Sequence, residues 1–270
     1  MSGPGNTGQQ YTGKHRQPSG PGAKAPAWGG RAKPGNITLA AQLMVIAKEP
    51  VPGRVKTRLT PAYTPAEAAE LAEAALADTL AAVGSVAVAR RILALAGTPG
   101  RWLPPGFDVI AQRGGGLDER LAWALSDARA TNPDPLVFIG MDTPQVTPAL
   151  LVQAIEPLVA GTADATFGMA EDGGFWLLGL REIDPALVLG VPMSRSDTGA
   201  LALERLHQAG LRVSMLPELA DVDTPGDAER IAAATPGSRF AAHVRTLGPR
   251  VARPLAAASL AAGEQAFSPA

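Results

Sequence analysis

The chain has 270 residues, 46% of them hydrophobic, and is therefore long enough to bury one sizeable core. It contains no cysteine, which excludes disulfides, thiolate catalysis and cysteine-ligated zinc. Residues 1–36 carry five Lys and Arg and no acid, so the remainder has a net charge of −6 against −1 for the whole chain. A mildly acidic body gives no support for broad nucleic-acid binding.

The first 36 residues are rich in Gly, Pro, Ser and Gln and have no apolar periodicity. Such a composition cannot offset the entropy of ordering, so we expect residues 1–36 to form a disordered basic tail. Its cations could contact RNA or a membrane surface, but a passive tail is the simpler interpretation of five dispersed charges. The sequence shows neither the apolar core of a signal peptide nor a run of membrane-spanning length, and we therefore expect a cytoplasmic protein.

Residues 37–236 alternate short apolar runs with amphipathic stretches. This alternation predicts an α/β domain of repeated βα units around a mostly parallel sheet. The first strand is predicted at residues 43–46, and Thr64-Pro65-Ala66-Glu67 predicts the capped start of an alanine-rich helix that ends near Gly84. Further strands are predicted at residues 91–95, 136–139, 165–169, 175–180 and 211–216, and further helices at residues 117–128 and 198–209 and from Thr147 and Thr224. Residues 237–270 are predicted to be a partly disordered extension with a loose helix at most.

The turn after the first predicted strand carries four cations, Lys48, Arg54, Lys56 and Arg58. A strand that runs into Pro-x-Pro-Gly, ending at Gly53, stops abruptly, since proline cannot donate to the ladder and glycine supplies unusual dihedral angles. Ligands of open α/β sheets bind outside the carboxyl ends of the strands, so this turn is well placed to hold an anion. In extended backbone, the alternation of Lys56 and Arg58 would point both side chains the same way.

An ordinary solvated basic turn is the plain alternative, because single cations mostly lie on the surface. A nucleoside-triphosphate P-loop fails on spacing, since Pro50 and Val55 stand where it requires glycine. Guanidinium groups that grip phosphate oxygens in pairs, combined with a lysine point charge, suit a polyphosphate.

Carboxylates follow two further predicted strands. Asp142 lies in Gly-Met-Asp-Thr-Pro after the central strand, where it could hold Mg²⁺, an ion that takes one or two carboxylates plus phosphate oxygens. It could equally cap a turn. Asp221 and Asp223 precede the helix start at Thr224, and we choose Asp223 as the second metal ligand.

Two glycine-rich segments are the remaining candidates. Glu171 and Asp172 precede Gly173 and Gly174, so an acid could act as general base beside backbone that a ligand can approach closely. A tight hairpin turn explains the glycine pair nearly as well. Arg120 follows a three-glycine loop and is a possible extra anion contact, whereas the three histidines form no metal-ligand cluster in the sequence.

Four motifs together resemble a family of transferases associated with radical-SAM and selenium-related proteins, in the GT-A or nucleotide-diphospho-sugar transferase superfamily. They are KEPVPGRVKTRL at residues 48–59, GMDTP at 140–144, EDGG at 171–174 and DVDTP at 221–225. The resemblance spans about residues 43–233. It implies a Rossmann-like GT-A three-layer α/β/α sandwich with a mostly parallel mixed sheet, which binds a nucleotide or nucleotide sugar together with a divalent metal.

The resemblance also implies roles for individual residues. Lys56 and Arg58 would hold phosphates, and Asp142 and Asp223 would hold Mg²⁺ or Mn²⁺. The candidate sets are Lys48, Gly53, Arg54, Lys56, Arg58 and Arg120 for phosphate binding, Lys56, Arg58 and Asp172 for catalysis, and Glu171, Asp172, Gly173 and Gly174 for substrate binding. The chain departs from the family pattern at Asp118, at Phe175-Trp176 and at residues 192–195. These departures affect the expected acceptor pocket more than the expected nucleotide-binding end.

Two chemistries fit these residues. In nucleotidyl transfer, an acceptor phosphate attacks the α-phosphorus of a nucleoside triphosphate and the basic turn takes the departing pyrophosphate. In glycosyl transfer, Glu171 or Asp172 deprotonates an acceptor hydroxyl while a nucleoside diphosphate leaves. The density of cations near Gly53 favours the first, whereas the label of the resembled family, a predicted glycosyltransferase, favours the second. The acceptor is a small molecule in either case. A third hypothesis is a nucleotide-binding protein without catalysis.

Overall fold

The structure, a computed structural model, describes residues 38–249. Its strands are β1 (Leu39–Lys48), β2 (Val88–Ala96), β3 (Asp108–Ala111), β4 (Leu136–Gly140), β5 (Ala165–Met169), β6 (Phe175–Leu180) and β7 (Val213–Met215). Its α-helices are α1 (Pro65–Gly84), α2 (Leu117–Thr131), α3 (Pro148–Val159), α4 (Thr198–Gln208), α5 (Pro225–Ala234) and α6 (Arg239–Leu247), with short 3-10 helices at Thr57–Leu59 and Pro185–Leu187.

The seven strands form one sheet in the order β3-β2-β1-β4-β6-β5-β7. Strand β1 is parallel to both of its neighbours, β2 and β4, whereas β6 is antiparallel to β4 and β5. Ile46 pairs with Gly140 near the ends of β1 and β4, so the residues that follow these two strands emerge side by side at one edge. The prediction of a mostly parallel mixed sheet is confirmed.

Helices cover both faces of this sheet, which confirms the three-layer α/β/α arrangement. On one face, Leu43 and Val45 of β1 pack in a core with residues of α1 and α3. On the other face, Met44 packs with residues of α2 and α4. Successive side chains of a strand point to opposite faces, so the continuous apolar run of β1 serves both cores at once.

Helix α1 is alanine-rich because it is buried on two sides. Leu76 packs towards the sheet, whereas Leu71 packs outwards against α5 and α6. The predicted capping box is present, since the Glu67 backbone N–H donates to Thr64 Oγ1 at 3.2 Å and the Thr64 N–H donates to Glu67 Oε2 at 2.7 Å. The fully buried ring of Phe240 anchors α6 in the same cluster, so the packed unit continues past the boundary that the sequence predicts at residue 236.

Strand β3 is the element that the sequence pattern misses. Three of its four residues are exposed and it lies at the edge of the sheet, so it has no buried apolar run to signal it. The predictions for residues 1–36 and for residues 250–270 fall outside the described residues. Within residues 38–249, no helix has both the length and the apolar composition needed to cross a bilayer.

The ion cluster around Asp164 predicts a pH-dependent contribution to stability. Arg212 donates from Nε at 2.8 Å and Arg181 from Nη2 at 2.8 Å, and these bonds, that of Arg212 above all, hold the pKa of Asp164 well below its usual range. A carboxyl whose pKa falls on folding stabilises the fold above its unfolded pKa of about 3.9, and this contribution is lost as the pH falls towards the folded pKa.

We therefore expect Asp164→Asn to lower the melting temperature at pH 7. The difference from the wild type should shrink below about pH 4, where the unfolded chain takes up a proton at this carboxyl. Thermal unfolding of both proteins across this pH range measures the effect. The exposed Glu182 next to Arg181 offers a matched control, since Glu182→Gln removes one acid and leaves this cluster intact. An equal effect of the two substitutions would contradict the expectation.

Candidate active site

The loop after β1 is attached to the neighbouring strand. The Glu49 backbone N–H donates to the Ala96 carbonyl at 2.9 Å, and the Glu49 carboxylate accepts from the Thr98 N–H at 2.8 Å. Gly53 has a φ of +75°, a conformation that favours glycine. The Arg54 backbone N–H donates a hydrogen bond to the Val51 carbonyl across this turn. The predicted turn therefore forms at the carboxyl edge of β1 and β2.

Three of the predicted phosphate-binding cations line one pocket, which we name the cation pocket. Its volume is about 290 Å³, and its lining residues are Lys48, Glu49, Val51, Arg54, Val55, Ala96, Gly97 and Arg120. Lys48 and Arg54 come from the end of β1 and the loop after it, whereas Arg120 comes from the first turn of α2. The lining holds three cations and one carboxylate, that of Glu49, so its net charge is positive and suits an anion.

Lys56 and Arg58 do not line this pocket. Lys56 has a φ of +48° and directly precedes the 3-10 helix, so the backbone here is not extended and the predicted alternation does not apply. The Lys56 side chain, 9% exposed, places Nζ 2.9 Å from Oδ1 of Asp142. Arg58, 75% exposed, forms an ion pair with Asp223. Lys56 and Arg58, which the resemblance assigns to phosphates, are therefore paired with Asp142 and Asp223, which it assigns to the metal.

Four carboxylates gather at this edge of the sheet, and we name Asp142, Asp172, Asp221 and Asp223 the acidic cluster. Asp142 follows β4, Asp172 lies in the turn between β5 and β6, and the other two precede α5. The Val222 backbone N–H donates to the Asp142 carbonyl at 3.0 Å, which joins the segment before α5 to the end of β4. Residues far apart in the chain are thus brought together at this edge.

Asp221 is the residue of this cluster that the sequence reasoning passed over. Burial above all, together with the negative charges of Asp172, Asp142 and Asp223, raises its pKa to about 7 against the opposing effect of Lys56. These five groups therefore share one electrostatic environment with an excess of negative charge. An Asp-x-Asp pattern cannot tell which carboxylate is buried, so no sequence signal identified Asp221.

The glycine pair after Asp172 has a structural explanation. Gly173 has a φ of +87°, and a Cβ built there would lie only 1.9 Å from the Ser196 carbonyl oxygen, well inside van der Waals contact. The Gly199 N–H also donates to the Gly173 carbonyl at 2.8 Å. The hairpin turn and its close approach to the segment before α4 account for the missing side chain at Gly173. A role of Gly173 and Gly174 in substrate binding stays a prediction.

The two acids of that turn differ in their partners. Glu171 accepts from Nη1 of Arg230 in α5 at 2.7 Å, which engages it in a surface ion pair. Asp172 accepts from the Gly174 N–H at 2.8 Å and is close enough to Asp221 to influence its ionisation. Of the two, Asp172 is the acid that the fold directs into the cluster.

The carboxylate oxygens of the acidic cluster suit a divalent cation that prefers oxygen ligands, such as Mg²⁺. Within residues 38–249, no three His, Cys, Asp or Glu side chains form a ready metal cage. Mg²⁺ does not need one, because it binds through one or two carboxylates together with substrate phosphates and water. Asp142 and Asp223 supply that number, and the neighbouring Thr143 hydroxyl is buried without a hydrogen-bond partner in the described part of the chain.

The sheet order, the flanking helices and this edge define the fold class. A Rossmann-like α/β/α sandwich with its polar site outside the carboxyl ends of β1 and β4 has the architecture of the GT-A-like transferases. The fold class predicted from the sequence resemblance is confirmed.

Comparisons with known proteins agree with this class. Residues 62–195 match the family model described as "Uncharacterized protein conserved in bacteria (DUF2064)". The solved structure of a provisionally assigned nucleotide-diphospho-sugar transferase from Desulfovibrio desulfuricans G20 is 27% identical, with a TM-score of 0.70 over 76% of this chain and 94% of that chain. No curated protein sequence gives a significant match.

Two more distant solved structures also match this chain. The 2-C-methyl-D-erythritol 4-phosphate cytidylyltransferase of Thermus thermophilus is 16% identical, with a TM-score of 0.45 over 74% of this chain and all of that chain. The glucosyl-3-phosphoglycerate synthase of Mycobacterium tuberculosis, in complex with Mn²⁺, UDP and glucosyl-3-phosphoglycerate, is 14% identical, with a TM-score of 0.43 over 75% of this chain and 80% of that chain.

Proposed function

We propose that this protein is a metal-dependent nucleotidyltransferase that uses a nucleoside triphosphate and a phosphorylated small molecule. One observation carries the proposal: the segment over residues 48–58 supplies cations both to the cation pocket and to the acidic cluster. A substrate that spans the two sites must present anionic groups to the pocket and metal-binding oxygens to the carboxylates. A triphosphate does both.

In the proposed reaction, an oxygen of the acceptor phosphate attacks the α-phosphorus, and the bond to the bridging oxygen of pyrophosphate breaks. Lys48, Arg54 and Arg120 bind the departing pyrophosphate, because the cation pocket is positively charged on the β1 side of the site. Asp142 and Asp223 would hold Mg²⁺ or Mn²⁺, which when bound neutralises charge that develops on the phosphate oxygens. Lys56 and Arg58 would hold phosphate oxygens between the two sites.

Glycosyl transfer from a nucleotide sugar is a second candidate, which two observations favour. The structure from D. desulfuricans carries the name of a nucleotide-diphospho-sugar transferase. Asp172 also lies in the acidic cluster, where it could deprotonate an acceptor hydroxyl while the nucleoside diphosphate leaves. A nucleotide-binding protein without catalysis is the third candidate, and it predicts binding with no product.

A thermal-shift panel of nucleoside triphosphates and nucleotide sugars, with and without Mg²⁺ and Mn²⁺, tests these candidates. A ligand that binds only the folded state raises the melting temperature. A metal-dependent shift with one triphosphate, followed by pyrophosphate release on addition of sugar phosphates, is the expected result. A shift and nucleoside diphosphate release with one nucleotide sugar would establish the second candidate. No metal-dependent shift with any of them would contradict both.

Replacing Arg54 should weaken triphosphate binding specifically. Arg54→Gln removes one cation of the cation pocket, and we expect the Kd for the metal triphosphate to rise about tenfold, the value typical of a lost charge-assisted hydrogen bond. Isothermal titration calorimetry measures this Kd. Arg101→Gln is the matched control, since Arg101 is an exposed arginine outside the pocket lining. Equal affinities of the two variants would remove Arg54 from the proposed site.

We propose that the enzyme is cytoplasmic. The association with radical-SAM and selenium-related proteins remains a proposal that rests on the motifs of the sequence.

A further inference from the structure

Lys56 is held in place by an unusual backbone conformation. Its φ of +48° and ψ of +38° lie in the left-handed region, which residues with a side chain rarely occupy. The neighbours Arg54, Thr57 and Arg58 are exposed, whereas the Lys56 side chain turns inwards and is 9% exposed. A strained residue persists only where the surrounding structure over-determines it, so the inward direction of Lys56 is a built feature of the loop.

The inward direction takes the Lys56 ammonium to Asp142 and not to the cation pocket. In the same way, the Arg58 guanidinium forms an ion pair with Asp223. Among the described residues, Lys48 and Arg54 form no ion pair, so the loop divides its cations into two that are free to meet an anion and two that neutralise carboxylates. The two neutralised carboxylates are those that the proposed function assigns to the divalent cation.

We propose that Lys56 and the divalent cation bind Asp142 alternately, so that the ammonium is an internal counter-ion which the metal displaces towards the substrate phosphates. This inference rests on the proposed function, because it takes Asp142 as a metal ligand. A positive charge 2.9 Å from a carboxylate oxygen opposes the approach of a second cation. The displaced ammonium loses its carboxylate partner. A phosphate that arrives with the metal then becomes its new anionic partner.

Alternation makes the affinities for metal and for triphosphate depend on Lys56 in opposite ways. Without Lys56, Asp142 would have no counter-ion beside it, so the metal alone should bind more tightly. The same change removes a phosphate contact, so the metal triphosphate should bind more weakly. A residue that only supports the loop would change both affinities in the same direction.

The experiment titrates Mn²⁺ alone into the wild type and Lys56→Met by calorimetry, and then titrates a triphosphate in saturating Mn²⁺. We expect Lys56→Met to bind Mn²⁺ at least about fivefold tighter and the triphosphate at least about fivefold weaker, the lower end of typical coupling between sites. Arg101→Gln removes one positive charge outside the cation pocket without freeing a carboxylate, so its affinity for Mn²⁺ alone should equal that of the wild type. Asp142→Asn should abolish the tight site in every background.

The exposed Arg58 provides a second variant that does not depend on the folding of Lys56→Met. Arg58→Gln should also tighten Mn²⁺ binding, because it frees Asp223. Unchanged or weaker Mn²⁺ binding in folded Lys56→Met, or in Arg58→Gln where Lys56→Met does not fold, with binding still lost in Asp142→Asn, would overturn the alternation and leave the proposed function standing. If Mn²⁺ binds to none of these proteins, or binds equally well in Asp142→Asn, both the alternation and the proposed metal site are wrong.

Discussion

Asp142→Asn should lower metal-dependent turnover by about 10²- to 10³-fold, the loss typical of removing one group that stabilises developing charge. The substitution keeps the shape of the side chain and an oxygen that can accept from Lys56, but it removes the negative charge that a divalent cation requires. Asp142 is 40% exposed, so we expect the fold to survive with a small loss of stability. Steady-state kinetics across a range of Mg²⁺ concentrations measure the effect.

Asp127 provides the matched control for this result. It is also a partly exposed aspartate in an ion pair, with Arg113 at 2.6 Å, but it lies in α2 and outside the acidic cluster. Asp127→Asn should therefore leave kcat and the dependence on Mg²⁺ unchanged. Turnover in Asp142→Asn within a few-fold of that in Asp127→Asn would remove Asp142 from the proposed metal site.

Gly173→Ala should destabilise the fold by at least about 3 kcal/mol, from a positive φ and an overpacked contact together. The added Cβ would lie 1.9 Å from the Ser196 carbonyl oxygen, and its three nearest neighbours are backbone atoms that cannot rotate away. Either the hairpin between β5 and β6 or the segment before α4 must shift. Denaturant unfolding, monitored by circular dichroism, gives the free energy of unfolding of both proteins.

A substitution at Gly190 distinguishes the cost of the positive φ from the cost of the steric contact. Its φ of +76° resembles that of Gly173, but a Cβ built there meets no atom within 4 Å. Gly190→Ala should therefore cost only about 1–2 kcal/mol, the backbone contribution alone. If Gly173→Ala were no more costly than Gly190→Ala, the close approach to Ser196 would be unimportant, and a ligand would be the better explanation of the glycine pair.

Local sequence signals predicted most of the regular structure. The caps at Thr64, Thr147 and Thr224 all start helices where expected, since each threonine accepts from a backbone N–H three residues further on. The apolar runs of β1 and β4 predicted central strands. Strand β3 was missed because its residues are mostly exposed, and the packing of α6 was missed because it depends on the distant helix α1.

The candidate site was predicted in composition but not in arrangement. The sequence identified the cations of the loop after β1 and the carboxylates at residues 142 and 223, and the fold brings them to one edge. Their pairing was not predictable, because Arg58 and Asp223 are 165 positions apart and no local pattern relates them. The left-handed conformation of Lys56 likewise belongs to the folded loop, since lysine has no intrinsic preference for it.

The sequence by itself therefore determined the class of fold and the chemical types present at its polar edge, because periodicity, capping and turn residues act over a few positions. Only the tertiary structure decided which cations face the cation pocket and which neutralise the acidic cluster. It also decided that Asp221 is the carboxylate whose pKa rises to about 7. Burial and charge proximity cause these effects, and both are set by residues far apart in the chain.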